Sequence, residues 1–133
     1  IKIATKIIDI CCGYEHTLAI NENKWIYSWG DNLYAQLGHS VNKSRVTEPK
    51  LIRSLVKHNI QNDYIAAGQY HSLIVSTFGQ LRVFGWNEFY QCGTGTDHNV
   101  ISKPTLNLTL ANKFVTEIKC GFNHNVAKTM DGE

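Results

Sequence analysis

Three histidines stand at the same distance from a glycine and are the first side chains in this sequence that could do chemistry. They are His16, His71 and His124, in the segments GYEH, GQYH and GFNH. Imidazole binds metals and titrates near neutral pH, so three such rings on one rim could hold a metal ion or sense pH. Alternatively, each histidine could bond through its ring nitrogens to backbone groups and fix the preceding turn. No acidic partner recurs beside them, which favours the structural role, and we predict no metal site.

The segments that must position these histidines form a repeat. The stretch around His16 returns in register 55 residues later, and a third copy begins 53 residues after Gly68. Self-similarity at such a period indicates an array of equivalent structural units. The recurring positions that we expect to be structural are Gly13, His16, Gly30 and Gly38, then Gly68, His71, Gly85 and Gly93, then Gly121 and His124.

The cysteines are best explained by the same repeat. Cys12 and Cys120 occupy the position that Ala67 holds in the second copy, so the position selects a small side chain. Cys11 and Cys92 have no CxxC spacing or regular framework. We therefore expect free thiols without a disulfide or a metal.

Each copy predicts short strands separated by turns. In the first copy, apolar segments at residues 7–12, 17–20 and 25–29 predict three strands, the second of them buried on both faces. Residues 39–48 are polar and predict an exposed loop, residues 49–52 an outer edge strand, and residues 54–62 a loop or one helical turn.

Two turns carry more specific expectations. The glycine of each GxxH segment is expected to have a positive φ where the first strand turns back. Lys24 stands where the other copies have Gly79 and Gly132, so the first copy is expected to form a different type of turn there.

The segments GYEHTLAI, WIYSWGDN and YAQLG resemble the repeat of the regulator of chromosome condensation family. The resemblance implies an all-β fold, a partial β-propeller of four-stranded antiparallel blades, in which seven repeats would close the ring. The repeats divide the chain at about 7–62, 63–114 and 115–133, the last one truncated. A plant ultraviolet photoreceptor of this family carries tryptophans in the GxxHT turn, where this chain has Tyr14, Tyr70 and Phe122, so photoreception is not implied.

The chain is expected to be a segment of a longer protein. It starts at Ile1 without a methionine and ends at Glu133, within an expected hairpin. A closed ring would need about 380 residues at this period. Apolar faces left at both ends would then be covered by further repeats or by another subunit.

Composition and motifs exclude several classes of function. The net charge is +2 and the basic residues are scattered, so no nucleic-acid patch is predicted. There is no long apolar run that predicts a membrane span. Neither a phosphate-binding loop nor a catalytic motif is present, so we expect no enzyme activity and no cofactor.

The expected function is that of a non-catalytic, intracellular scaffold that binds a protein partner or sits in a larger complex. Trp86, which follows the third strand of the second copy, is the predicted partner contact, and a polar loop around Asn42 is a second one. The alternative implied by the resemblance is a guanine-nucleotide exchange factor for a Ran-type small GTPase, with chromatin binding. The family's wedge-like insertion is not visible between Gly13 and Pro104, so no exchange residue can be assigned.

Overall fold

The computed structural model describes residues 5–40, 43–95 and 98–133. Asn42, the centre of the second predicted contact, lies outside the described residues. The regular secondary structure of the described residues is strand, apart from one short helix. No helix among these residues is long and apolar enough to cross a membrane.

Two four-stranded antiparallel sheets and one two-stranded sheet make up the described fold, as the repeat predicts. Each sheet follows chain order, β1-β2-β3-β4, then β5-β6-β7-β8, then β9 with β10. Strand β5 packs against β1 and β2 on one side and against β9 on the other. The elements are β1 (Ile7–Cys12), β2 (His16–Asn21), β3 (Ile26–Asp31), β4 (Arg45–Leu51), α1 (Arg53–Lys57), β5 (Asn62–Ala67), β6 (His71–Ser76), β7 (Leu81–Trp86), β8 (Val100–Leu106), β9 (Val115–Cys120) and β10 (Asn125–Thr129).

The core lies between the sheets, and the second strand of each complete sheet is at its centre. Every residue of β6 is buried, and β2 is buried at all positions except Thr17. A continuous apolar run is needed in β6 because its sheet lies between the sheet of β1 to β4 and that of β9 and β10. The prediction of strands buried on both sides is therefore confirmed.

The outer strand is longer than the sequence predicts. Strand β4 begins at Arg45, inside the segment predicted to be an exposed loop, and β8 begins correspondingly at Val100. An edge strand pairs on one side only and faces solvent, so it tolerates polar residues that hide it from pattern analysis. Of the two alternatives predicted after it, a loop or one helical turn, the structure forms the helical turn as α1, where Leu55 is buried.

The turn between β2 and β3 corrects the expectation for Lys24. Lys24 has φ 69°, close to the 76° of Gly79 and the 88° of Gly132. In each turn the N–H of this residue donates to the carbonyl oxygen three residues earlier. The N···O distance is 2.9 Å from Lys24 to Asn21 and from Gly79 to Ser76, and 3.0 Å from Gly132 to Thr129. The first copy forms the same turn because the hydrogen-bonded hairpin imposes the backbone conformation on Lys24.

Replacing Lys24 with glycine is expected to stabilise the full chain by about 0.5 kcal/mol. Glycine removes the strain of about 1 kcal/mol that a residue with a side chain has in the left-handed backbone conformation. This gain exceeds the small contribution of the exposed Lys24–Asp63 ion pair at 3.3 Å. Urea unfolding of K24G, alone and combined with Asp63→Asn, measures the backbone strain at residue 24 and the contribution of the ion pair. A loss of stability from K24G in the Asp63→Asn background would show that the turn is not strained.

Candidate interaction surface

The histidines of the GxxH segments connect neighbouring sheets. His16 Nε2 lies 2.9 Å from Ser72 Oγ, and Ser72 Oγ donates to the Gln36 carbonyl at 2.7 Å. Because the hydroxyl has one proton, which goes to Gln36, His16 must be the donor to Ser72. The two bonds join β2, β6 and the connector after β3.

The same connection recurs between the second and third sheets. His71 Nε2 donates to Asn125 Oδ1 at 2.6 Å, and Asn125 Nδ2 donates to the Gln91 carbonyl. Ser72 and Asn125 directly follow the GxxH histidines of their own repeats, and Gln36 and Gln91 are equivalent connector positions. The expectation that the histidine fixes its own turn is thus corrected for His16 and His71, since each of them clamps the following sheet.

The glycine of the GxxH segment is needed for space and not for φ. Gly13, Gly68 and Gly121 do not have positive φ, which corrects the second expectation. A Cβ on Gly13 or Gly68 would lie 2.5 Å from Nδ1 of the histidine three residues later. The imidazole packs directly on the glycine backbone. The other repeat glycines, Gly30, Gly38, Gly85 and Gly93, do have positive φ.

Burial keeps the clamping imidazoles neutral. Desolvation, with a smaller contribution from His71, lowers the pKa of His16 to about 4. The pKa of His71 is also lowered, by desolvation first, although its bond to Asn125 opposes the shift. Among the described residues, no group of three or more His, Cys, Asp or Glu side chains could hold a metal ion.

Cys11, Cys12, Cys92 and Cys120 are free thiols. Desolvation raises the pKa of Cys11, Cys92 and Cys120 to about 12, so these thiols are poor nucleophiles. Cys12, Ala67 and Cys120 line one cavity of about 410 Å³ together with the GxxH turns. Their shared repeat position thus places them side by side.

Trp86 belongs to a continuous cluster of five aromatic rings, here called the aromatic surface, formed by Tyr14, Tyr34, Tyr70, Trp86 and Phe89. Tyr70 lies at the centre, with its ring centroid 4.8 Å from Tyr34, 5.8 Å from Trp86 and 6.0 Å from Tyr14. Phe89 extends the cluster from Trp86, at 5.2 Å. Tyr14 and Phe89 are each 60% exposed, so the cluster faces solvent.

The aromatic surface is built from two adjacent sheets at the end where the GxxH turns lie. Tyr14 and Tyr70 come from those turns, and Tyr34 and Phe89 from the connectors that follow β3 and β7. Sequence reasoning found Trp86 but missed Tyr34 and Phe89. Their shared position, 55 residues apart in exposed connectors, was the signal that could have found them.

Carboxylates flank these rings. Glu15 is exposed and follows Tyr14 in the chain, Glu88 is exposed and precedes Phe89, and Asp31 accepts a hydrogen bond from Gln36 Nε2 at 2.8 Å. Desolvation raises the pKa of Tyr70, and the charges of Glu15 and Asp31 add to that shift. The aromatic surface therefore has an acidic border.

Comparison with known proteins identifies the repeat. The Regulator of chromosome condensation (RCC1) repeat matches residues 26–75 and 79–127, and a second description of the same repeat matches 7–36 and 63–91. Among curated proteins, the probable E3 ubiquitin-protein ligase HERC4 of Mus musculus is 36% identical over 129 residues. The ultraviolet-B receptor UVR8 of Arabidopsis thaliana is 32% identical over 130 residues.

The matched region is a small part of these relatives. It covers 96% of this chain but 12% of the HERC4 protein and 28% of UVR8. Among solved structures, yeast RCC1 (Prp20), bound to Kap60, superposes with a TM-score of 0.82 at 25% identity, over 94% of this chain and 30% of that one. Human WBSCR16 gives 0.85 at 20% identity, over 98% and 32%. The chain is a β-propeller segment and belongs to the regulator of chromosome condensation (RCC1) repeat family.

Proposed function

We propose that this propeller segment is a non-catalytic binding module that holds a protein partner on the aromatic surface. The observation that carries the proposal is the set of five contacting rings, two of them 60% exposed. Monomeric proteins rarely leave such contiguous rings to water, whereas aromatic residues are enriched at the centres of protein interfaces. An intracellular location fits the four unpaired cysteines.

The acidic border indicates which partner side chains fit best. Arginine and lysine stack on aromatic faces and pair with carboxylates, and the charges of Glu15 and Asp31 act on Tyr70 of the cluster. We therefore expect the partner to present one or more basic side chains next to an apolar residue. Such a contact would weaken with added salt because part of it is electrostatic.

The test removes exposed rings without disturbing the core. In the full chain, replacing Tyr14 and Phe89 with alanine is expected to weaken partner binding at least 30-fold, at about 1 kcal/mol or more per ring. The matched control is Phe78→Ala, because Phe78 is 79% exposed in the turn between β6 and β7, at the other end of the sheet. Quantitative capture from the native cell lysate compares the three proteins. A partner retained equally by all of them would refute the proposed surface.

A guanine-nucleotide exchange factor for a Ran-type GTPase is the second candidate. It is supported by the likeness to yeast RCC1 (Prp20), at 25% identity and a TM-score of 0.82. The GxxH turns and connectors of the first two copies keep a 55-residue spacing, so no wedge-like insertion is visible between Gly13 and Pro104. Release of labelled GDP from the GTPase, with the full-length protein present, tests this function. Acceleration of GDP release by orders of magnitude would support the exchange function. No acceleration would favour the binding module over the exchange factor.

A further inference from the structure

The structure gathers basic side chains that are scattered in the sequence. Lys50 at the end of β4, Arg53 and Lys57 on α1, and Lys103 on β8 all line one cavity of about 340 Å³. Arg53 and Lys57 are one helical turn apart, so they share a helix face. Strand β8 belongs to the next sheet and supplies Lys103 from the opposite side. The cavity thus bridges the outer strands of two neighbouring sheets.

The other groups around this cavity are neutral or hydrogen-bond donors. None of its lining residues is an aspartate or a glutamate. The Ser54 hydroxyl is shielded from solvent and has no hydrogen-bond partner among the described residues. His39 is held in place through Nε2, at 2.8 Å from Ser28 Oγ. The site therefore combines four cationic side chains with a lining that contains no carboxylate.

We propose that this cavity binds the phosphate group of a phosphorylated protein segment. Lysine and arginine recognise phosphate dianions through charge-assisted hydrogen bonds. All four cations line the same concavity. A nucleic acid, with regularly spaced phosphates, requires a basic stripe or face, whereas a single phosphorylated side chain needs only such a pocket.

This site is independent of the aromatic surface. Three of its cations lie on α1 and the adjoining end of β4, whereas Tyr14 and Tyr70 lie in the turns at the other end of the sheets. Loss of one site is therefore expected to leave the other intact.

The test measures binding of a fluorescent degenerate phosphoserine peptide library to the full-length protein by anisotropy. The comparison probes are the unphosphorylated library, inorganic pyrophosphate as competitor and a labelled oligo-dT. We expect binding of the phosphorylated library only, weakened by salt. Arg53→Glu combined with Lys103→Glu should reduce it at least ~100-fold, from about tenfold for each charge-assisted contact. The matched control, Arg45→Glu, reverses an exposed charge on β4 outside the cavity and should change binding less than ~2-fold.

Several results would overturn the proposal. Equal binding of both peptide libraries would remove the phosphate requirement, and an equal loss in the Arg45→Glu variant would indicate only a global charge effect. Tight binding of pyrophosphate without binding of the peptide would identify a free anion as the ligand. Tighter binding of oligo-dT, abolished by the Arg53→Glu and Lys103→Glu changes, would replace the phosphopeptide with a nucleic acid.

Discussion

Replacing His71 with alanine is expected to destabilise the full chain by about 4 kcal/mol. His71 is fully buried and donates from Nε2 to Asn125 of the next sheet. Its removal leaves a cavity, for which buried large-to-small substitutions typically cost about 2–5 kcal/mol. It also leaves Asn125 Oδ1 without this donor, which adds about 1 kcal/mol.

Urea unfolding of the full-length protein measures this loss, with His58→Ala as the matched control because His58 is exposed after α1. The control should change stability by less than about 0.5 kcal/mol. A double-mutant cycle with Asn125→Ala then isolates the contact between the two side chains. A coupling energy near zero would contradict the assignment of His71 as a clamp between sheets.

Acid is expected to destabilise the fold by protonating the same histidines. His16 has a folded pKa of about 4, below the 6.5 of the unfolded chain. Between these values the unfolded state binds more protons, so stability is fully present above pH 6.5 and is lost as the pH falls toward 4. For His16 alone the loss is about 3 kcal/mol, and His71 adds to it because its pKa is also lowered.

The measurement is the urea midpoint of the full-length protein from pH 7.5 to 4.5. The midpoint should be constant above pH 6.5 and then decline. His16→Gln keeps a donor but removes the titration, so it should be less stable at pH 7 and show a shallower decline. Burial also lowers the pKa of His39 to about 4, so part of the decline of the urea midpoint with falling pH remains in this variant. A midpoint that does not change between pH 7 and 5 would show that the imidazoles are not buried in neutral form.

The strands of the core could be predicted from sequence because the repeat fixes both their spacing and their apolar runs. The predictions that failed concern features that depend on a neighbouring sheet. The GxxH segment indicates a turn, but the hydrogen-bond partner of its histidine, Ser72 or Asn125, lies 54 to 56 residues away. No local pattern predicts that partner. The strand at Arg45 was missed because its residues are polar and its outer side faces water.

The two candidate binding sites differ in how much of each could be predicted from the sequence. Trp86 was found as an unusual residue at one position, whereas the ring cluster exists only because connectors of two sheets lie side by side. The basic cavity could not be predicted, because Lys50 and Lys103 are far apart in the chain and come together only when β4 and β8 become outer strands of adjacent sheets. Sequence patterns locate elements, and packing between elements creates these surfaces.

The most direct test of the binding-module account is site-specific photo-cross-linking in the native cell. Benzoylphenylalanine would replace Phe89 on the aromatic surface or, in the control protein, Phe78 in the turn at the opposite end of the sheet. We expect one defined cross-linked partner from position 89 that is absent from position 78 and lost when Tyr14 is also changed to alanine. The same cross-links from both positions, or none from position 89 in a correctly folded protein, would contradict it.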